Sequence, residues 1–376
     1  MGYNFSSVLC VADNNITGVL NQCLKDLALP EVFIQRAKQM CLADQHGLFG
    51  LRPVSRLEEA RALIYRIIIP TEFERGIMQR IAEVTDLKMG GRGSIFAQHA
   101  AYQRGVSISF NTETLERLCG KTENIPHEEH TLLSCIVSRG HAATLAEAVL
   151  ELGVCVPVVF FGEGMGLRDK LGLLRITIPK EKEVIWFIVP HSDADLVEKT
   201  IIPRARLDIP GRGFLYRFSV YAPVVNLRVR LGKRSHAATM EQVIAALDEV
   251  RGSSDWRRIG SRKHGVSGGQ DKTSGMKGLF FIGEEEEVEV FRLMAMQNGA
   301  RGATLNALEM RSYRDDTGQK HEEARRSHSR SLCDIIVTPE VEKRIMENIG
   351  QTGLFDEGKT CVLKTFNIEM PIAIRR

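Results

Sequence analysis

The sequence predicts an α+β fold built from three copies of one strand–helix–strand–strand–helix–strand unit. Three observations carry this. First, "ALIYRIIIPTEFERGIMQRIAEVTDLKMGGRGSIFAQHA" (62–100) matches "EVIWFIVPHSDADLVEKTIIPRARLDIPGRGFLYRFSV" (183–220) and "LCDIIVTPEVEKRIMENIGQTGLFDEGKTCVLKTFNI" (332–368) element for element. Second, each of these is preceded by another strand–helix–strand pattern. Third, a long stretch separates the second and third strands of every copy, at 43–59, 162–181 and 312–328. A structureless loop longer than about 12–15 residues is usually functional or disordered.

The elements follow in order. "SSVLCVA" (6–12) is an apolar first strand, followed by a helix near 15–29 and a strand in "EVFIQRAKQMCL" (31–42). The second copy opens with "TLLSCIVS" (131–138), the helix "HAATLAEAVLELGV" (141–154) and "CVPVVFF" (155–161). The third opens with "GLFFIG" (278–283), a helix over 284–300 and "ATLNALEMR" (303–311). The strands are rich in Val, Ile and Phe, and the helices space their apolar residues at i, i+3 and i+4. In the last helix Thr338 can cap, Pro339 suits the first turn, and Glu340 and Glu342 favour the positive end. Right-handed β-α-β crossovers make each copy a ferredoxin-like βαββαβ unit. The divisions are 1–106 for unit one, 107–129 for a polar linker, 130–226 for unit two, 227–276 for a linker with one helix (237–250), and 277–376 for unit three.

Composition sets the class. The chain has 376 residues, 43% of them hydrophobic, and a net charge of +3, which is small for a nucleic-acid binder. The basic runs "RRIGSRK" (257–263) and "RRSHSR" (325–330) read as solvated loops. No run of about 18 apolar residues and no basic leader is present, so the expected location is cytoplasmic, without a membrane span. The eight cysteines lie mostly in apolar runs without C-x-x-C spacing, as buried thiols do in a reducing compartment. "HEEH" (127–130) lacks partners at zinc spacing and reads as a solvated turn, so no metal is expected.

"GLFDEGKT" (353–360) matches the phosphate-binding pattern G-x-x-x-x-G-K-T. A true P-loop has a strand before it and a helix after it. Here the helix comes first and the strand "CVLKTFNIEM" follows, with no chain left for a magnesium-binding Asp. The motif is therefore a helix-to-strand glycine loop, with weaker copies in "GGRGSIF" (90–96) and "PGRGFLY" (210–216). Arg92 and Arg212 are candidate phosphate ligands, or else plain turn residues. Gly162, Gly164 and Gly166 form a G-x-G-x-G after the second strand of unit two, either a ligand loop or a glycine hinge.

This arrangement, and "TGLFDEGKT" (352–360) in particular, resembles the PII signalling protein family, whose loop before the last strand binds nucleotide phosphates. Thr352, Gly353, Gly358 and Lys359 stand on matching positions; Asp356 and Glu357 depart from the family pattern, and Ser94 and Phe214 stand where the other two copies would need the Lys. "GEGMGLRDKLGLLRITIPKEKEV" (162–184) is similar to the glycine-rich loop of degenerate PII-like proteins. The family's phosphate-neutralising arginines have no match before Arg375, and its modified Tyr has no clear match, Tyr313 lying early in the third loop. The resemblance implies a single-chain pseudo-trimer with ligand clefts between units. It implies a non-enzymatic regulator that binds a small anionic effector, an adenine nucleotide (ATP, ADP or AMP), and engages a partner protein through its long loops. The implied nucleotide-binding residues are Gly91, Arg92, Gly93, Gly162, Gly164, Gly166, Gly211, Arg212, Gly213, Gly353, Gly358, Lys359 and Thr360. The alternatives are a scaffold with degenerate sites and an ATP-hydrolysing enzyme, the latter lacking a recognisable base or metal-ligand set.

Overall fold

The fold is that of a computed structural model, which describes residues 5–45, 54–104, 110–121, 130–166, 180–209, 211–231, 275–313, 328–356 and 359–369. In the first third, β1 (Phe5–Asp13) leads to helix α1 (Thr17–Asp26), strands β2 (Val32–Gln45) and β3 (Val54–Pro70), helix α2 (Glu74–Val84) and strand β4 (Gly93–His99). The short strand β5 (Ala101–Arg104) and helix α3 (Thr112–Cys119) follow. The second third runs β6 (His130–Ser138), α4 (Ala142–Leu150), β7 (Val158–Gly166), β8 (Glu181–Pro190), α5 (Ala194–Ala205), β9 (Gly213–Val224) and β10 (Arg230–Leu231). The last runs β11 (Met276–Gly283), α6 (Glu285–Gln297), β12 (Gly302–Arg311), β13 (His328–Val337), α7 (Pro339–Asn348) and β14 (Val362–Ile368).

The assembly of these elements corrects the fold expected from the sequence. The described residues form not three ferredoxin-like units but a closed nine-strand antiparallel β-barrel (β2-β3-β1-β4-β9-β6-β8-β7-β12), with five further described strands and seven described α-helices. All fourteen described strands belong to one sheet, in the order β10-β2-β3-β1-β4-β9-β6-β8-β7-β12-β13-β11-β14-β5. Strands from different thirds hydrogen-bond directly. Ile95 of β4 pairs with Val224 of β9, and Leu305 of β12 pairs with Glu163 of β7. Glu309, Met310 and Arg311 of β12 return to Ile34, Phe33 and Val32 of β2, which closes the ring. An unpaired strand edge seeks another edge, and hydrophobic periodicity carries no record of which edge it meets. The ferredoxin-like tandem-repeat and pseudo-trimer readings fall with that expected fold.

Two further expectations shift. The first long loop, 43–59, is largely strand: β2 and β3 stay paired out to Gln45 opposite Val54, and the intervening 46–53 lie outside the described residues. The polar linker 107–129 contains α3, whose Asn111 side chain caps the helix by accepting from Thr114 N. The predicted helix 237–250 also lies outside the described residues.

Period-two alternation sorts the strand residues into two sets. Leu9 and Val11 of β1, Trp186 and Ile188 of β8, and Phe280 and Ile282 of β11 face inward, into a core shared by all three thirds. Val8, Cys10 and Ala12 turn outward under α1 and α2; Ile185, Phe187 and Val189 under α4 and α5; Leu279 and Phe281 under α6 and α7. Both strand faces are buried, which explains the near-continuous apolar runs such as "IIIP" and "FIVP".

Candidate functional site

The glycine loops come first, because the sequence points there. Gly93 begins β4 with a φ of +145° against the Val11 carbonyl, and Gly213 begins β9 against the Ile136 carbonyl. Gly91 and Gly211 hold the left-handed turns two residues earlier, φ +94° and +87°. The Gly91 N–H donates to Asn226 Oδ1 (3.0 Å), and Arg92 donates to the Thr85 carbonyl (3.0 Å) and faces Asp86 at 3.7 Å. Arg212 sits in the turn, its backbone N–H on the Ile209 carbonyl. These loops therefore make helix-to-strand turns, and the Gly91 amide and the Arg92 guanidinium are engaged within the protein.

The third loop is stapled to the start of α6. Lys359 Nζ meets Glu287 Oε1 at 3.2 Å. Glu287 also closes a capping box with Glu284, accepting from the Glu284 N–H (2.8 Å). Burial pushes the Glu287 carboxyl up, but bonds from Glu284 N, Cys361 and Lys359 bring it below the usual range. Arg330 bridges Glu284 (3.1 Å) and the Thr360 hydroxyl (3.2 Å). Gly353 holds a left-handed turn at the end of the last helical segment, and Gly358 lies outside the described residues. A second helix start is filled in the same way. Glu183 Oε2 accepts from the N–H groups of Gly140, His141 and Ala142 at 2.8–3.1 Å, at the N-terminus of α4. Helix N-termini are natural anion sites, and at α4 and α6 a carboxylate of the chain itself takes that place.

The G-x-G-x-G is not a loop. Gly162, Gly164 and Gly166 belong to β7, where Gly164 and Gly166 pair with Thr304 and Gly302 of β12. A methyl at Gly162 would stand 2.8 Å from Asn306 Oδ1, and one at Gly164 would stand 2.8 Å from the Lys182 side chain. Both glycines serve close approach.

Beside this seam lies a cleft of about 1000 Å³ between the β7–β8 hairpin and the first turns of α6. Its carboxylates are Glu163, Glu181, Glu285, Glu286 and Glu289, and its cations are Arg139 and Lys182. Phe161, Met165, Val288 and Leu305 supply apolar wall. Arg139 is bound to Glu181 at 2.7 Å, and its guanidinium also lies over the Phe161 ring, 5.5 Å from the centroid. Lys38 approaches the same ring at 5.7 Å. Lys182 reaches Ser138 Oγ at 3.4 Å, and burial lowers its ammonium below the usual range. Of the glycine-loop residues only Gly162 lines this cleft; 91–93, 211–213, Gly353, Lys359 and Thr360 do not.

Residues that sequence reasoning passed over include the cleft glutamates and a buried charged layer of Arg66, Asp334 and Lys364. The signal for the buried layer was present: one charge in each of the apolar strands "YRIII", "LCDIIV" and "VLKTF". Tyr313, noted in the third loop, tethers that segment to the first third, its hydroxyl bonding Asn21 at 2.7 Å. Of "HEEH", only His130 is described, as the first residue of β6, and among the described residues no group of three His, Cys, Asp or Glu side chains could hold a metal ion. No helix among them is long and apolar enough to cross a membrane.

No protein-family model and no curated protein matches the chain. The PII and nucleotide-binding reading thus has no family support, and the β-barrel removes the ferredoxin-like repeat on which it rested.

Proposed function

We propose that the protein is a non-enzymatic, ligand-binding regulator whose effector occupies the cleft between β7–β8 and α6. The single observation that carries this is the cleft's lining: five carboxylates, of which Glu181 and Glu289 are paired with Arg139 and Arg292, against the two lining cations Arg139 and Lys182, beside an apolar wall. Such a lining favours a small organic cation with an alkyl body, through Coulomb attraction and ring contact at Phe161. It disfavours the adenine nucleotide expected from the sequence, whose phosphates would meet carboxylates and would have to displace Glu287 from Lys359. The effector would act by differential affinity, since the cleft adjoins the β7–β12 seam and occupancy would bias how the two thirds join. A partner protein would read that change. The buried thiols argue against a cysteine nucleophile: burial pushes Cys10 and Cys135 up to about 12. All eight free thiols suit a reducing, cytoplasmic setting.

One observation favours the scaffold reading: Lys359, Arg92 and Glu183 are all engaged internally. Isothermal titration of the intact protein against spermidine, and separately against ATP, ADP and AMP, separates the readings. Micromolar spermidine binding that weakens at least tenfold in Glu163→Gln/Glu286→Gln supports the cleft. Nucleotide binding without spermidine binding restores the anionic effector, and no binding of either leaves the scaffold.

A further inference from the structure

One cation of the cleft already stands where a ligand would. Arg139 follows β6, and its Nη1 donates to Glu181 Oε2 at 2.7 Å while its guanidinium lies over the Phe161 ring, 5.5 Å from the centroid. All three residues line the cleft. Phe161 is 48% exposed, and the Arg139 and Glu181 side chains are 59% and 64% exposed. A carboxylate and an open aromatic ring on one guanidinium are the contacts by which a protein holds a foreign cation.

The turn that carries Arg139 is fixed, whereas its side chain is only lightly held. The Arg139 N–H meets the Glu181 carbonyl at 3.4 Å. Glu183 Oε2 accepts from the next three backbone N–H groups, those of Gly140, His141 and Ala142. Gly140 turns the chain in the left-handed region, at a φ of +90°. The side-chain contacts, by contrast, are open to solvent, and exposed ion pairs and cation–π contacts are weak and easily exchanged. Arg139 can therefore leave Glu181 and Phe161 without disturbing the start of α4.

Elsewhere in the cleft, Glu163, Glu285 and Glu286 form no ion pair among the described residues. Glu285 and Glu286 belong to the first turn of α6, apart from Glu181 on β8. Met165, Val288 and Leu305 supply apolar surface in the same cleft. One wall thus has a cation in place, and another has carboxylates without one.

We propose that Arg139 is an internal competitor whose guanidinium marks the place of the ligand's own, so that the cleft takes an alkylguanidine with a second cation at its far end. This rests on the cleft reading above and names its ligand class. The entering guanidinium displaces Arg139 and repeats its contacts with Glu181 and Phe161. A planar fork matches both carboxylate and ring, which a compact ammonium does less well. The second cation meets Glu285 and Glu286, and the alkyl chain lies on the apolar surface. A place filled about nine-tenths of the time by the protein's own group weakens an entering ligand about tenfold, so Arg139 sets the concentration at which the cleft fills.

The test is isothermal titration of the intact protein with agmatine and with putrescine, the same alkyl chain with an ammonium in place of the guanidinium. Arg139→Ala is expected to bind agmatine about tenfold more tightly than the wild type does. In that variant agmatine is expected to bind at least about tenfold more tightly than putrescine, and adding Phe161→Ala is expected to erase this preference. Agmatine affinity that is equal or weaker in Arg139→Ala overturns the competitor role, and equal binding of agmatine and putrescine overturns the ligand class. Either result, with spermidine still bound by the wild type, leaves the cleft reading standing. No binding of agmatine, putrescine or spermidine to either protein overturns both.

Discussion

Lys359 Nζ and Glu287 Oε1 stand 3.2 Å apart, so the one lysine of the glycine loops is held by the capping residue of α6. Glu287 is the more consequential partner, because it also serves the Glu284 N–H. Glu287→Ala opens the capping box and is expected to destabilise the protein by about 1 kcal/mol, read as a lower urea midpoint with unchanged slope. Lys359→Ala removes only a half-exposed cation and should leave that midpoint nearly in place.

Glu183 receives three backbone N–H groups at the start of α4. Glu183→Ala leaves them without an acceptor and is expected to lose roughly 1–3 kcal/mol. Amide exchange at Gly140–Ala142 should accelerate in the same variant. Unchanged protection there would contradict the capping role.

Two glycines should respond in opposite directions. At Gly93 an added Cβ would stand 1.8 Å from the Val11 carbonyl oxygen, on a backbone with φ +145°. Gly93→Ala is expected to lose more than about 2 kcal/mol. Gly18, within α1, has nothing within 4 Å of such an atom, so Gly18→Ala is expected to gain about 0.5–1 kcal/mol. Chemical denaturation of both variants checks the pair.

Asp334 makes stability depend on pH. Arg66 on β3, Tyr216 on β9 and Lys364 on β14 face it, yet burial dominates and raises its carboxyl from 3.8 to about 7. Folding therefore favours the protonated form. Its contribution is complete below the unfolded value and is lost as pH rises through about 7. Asp334→Asn removes this titration, so the loss of stability between pH 4 and pH 7 should be smaller than in the wild type. Equal slopes in thermal melts across that window would count against it.

Much of the local structure was legible in the sequence. β1, β3, β6, β8 and β11 lie where "SSVLCVA", "ALIYRIIIP", "TLLSCIVS", "EVIWFIVP" and "GLFFIG" place them, because a buried strand needs β-branched and aromatic residues on both faces. The last helix begins at Pro339 with Glu340 and Glu342 in its first turn, as the sequence indicates, although the Thr338 side chain makes no cap bond. The site was less legible. Arg92, Arg212 and Lys359 have the charge a phosphate would need. Only the folded chain brings Arg92 to Asp86 and the Thr85 carbonyl, and Lys359 to Glu287. The cleft glutamates come from β7, β8 and α6, far apart in sequence, and no spacing rule links Glu163 to Glu286.

The sequence by itself determined the run of strands and helices and their turn glycines at 93 and 213. Each of these follows from interactions within a few residues: period, capping and backbone φ. Only the tertiary structure decided that β4 meets β9, that β12 meets both β7 and β2, and that the strands close into one barrel. Edge pairing depends on backbone groups that every residue shares, so side-chain identity carries almost no trace of it. The same closure brings Arg66, Asp334 and Lys364 into one buried layer, where charges more than 250 residues apart in the chain meet.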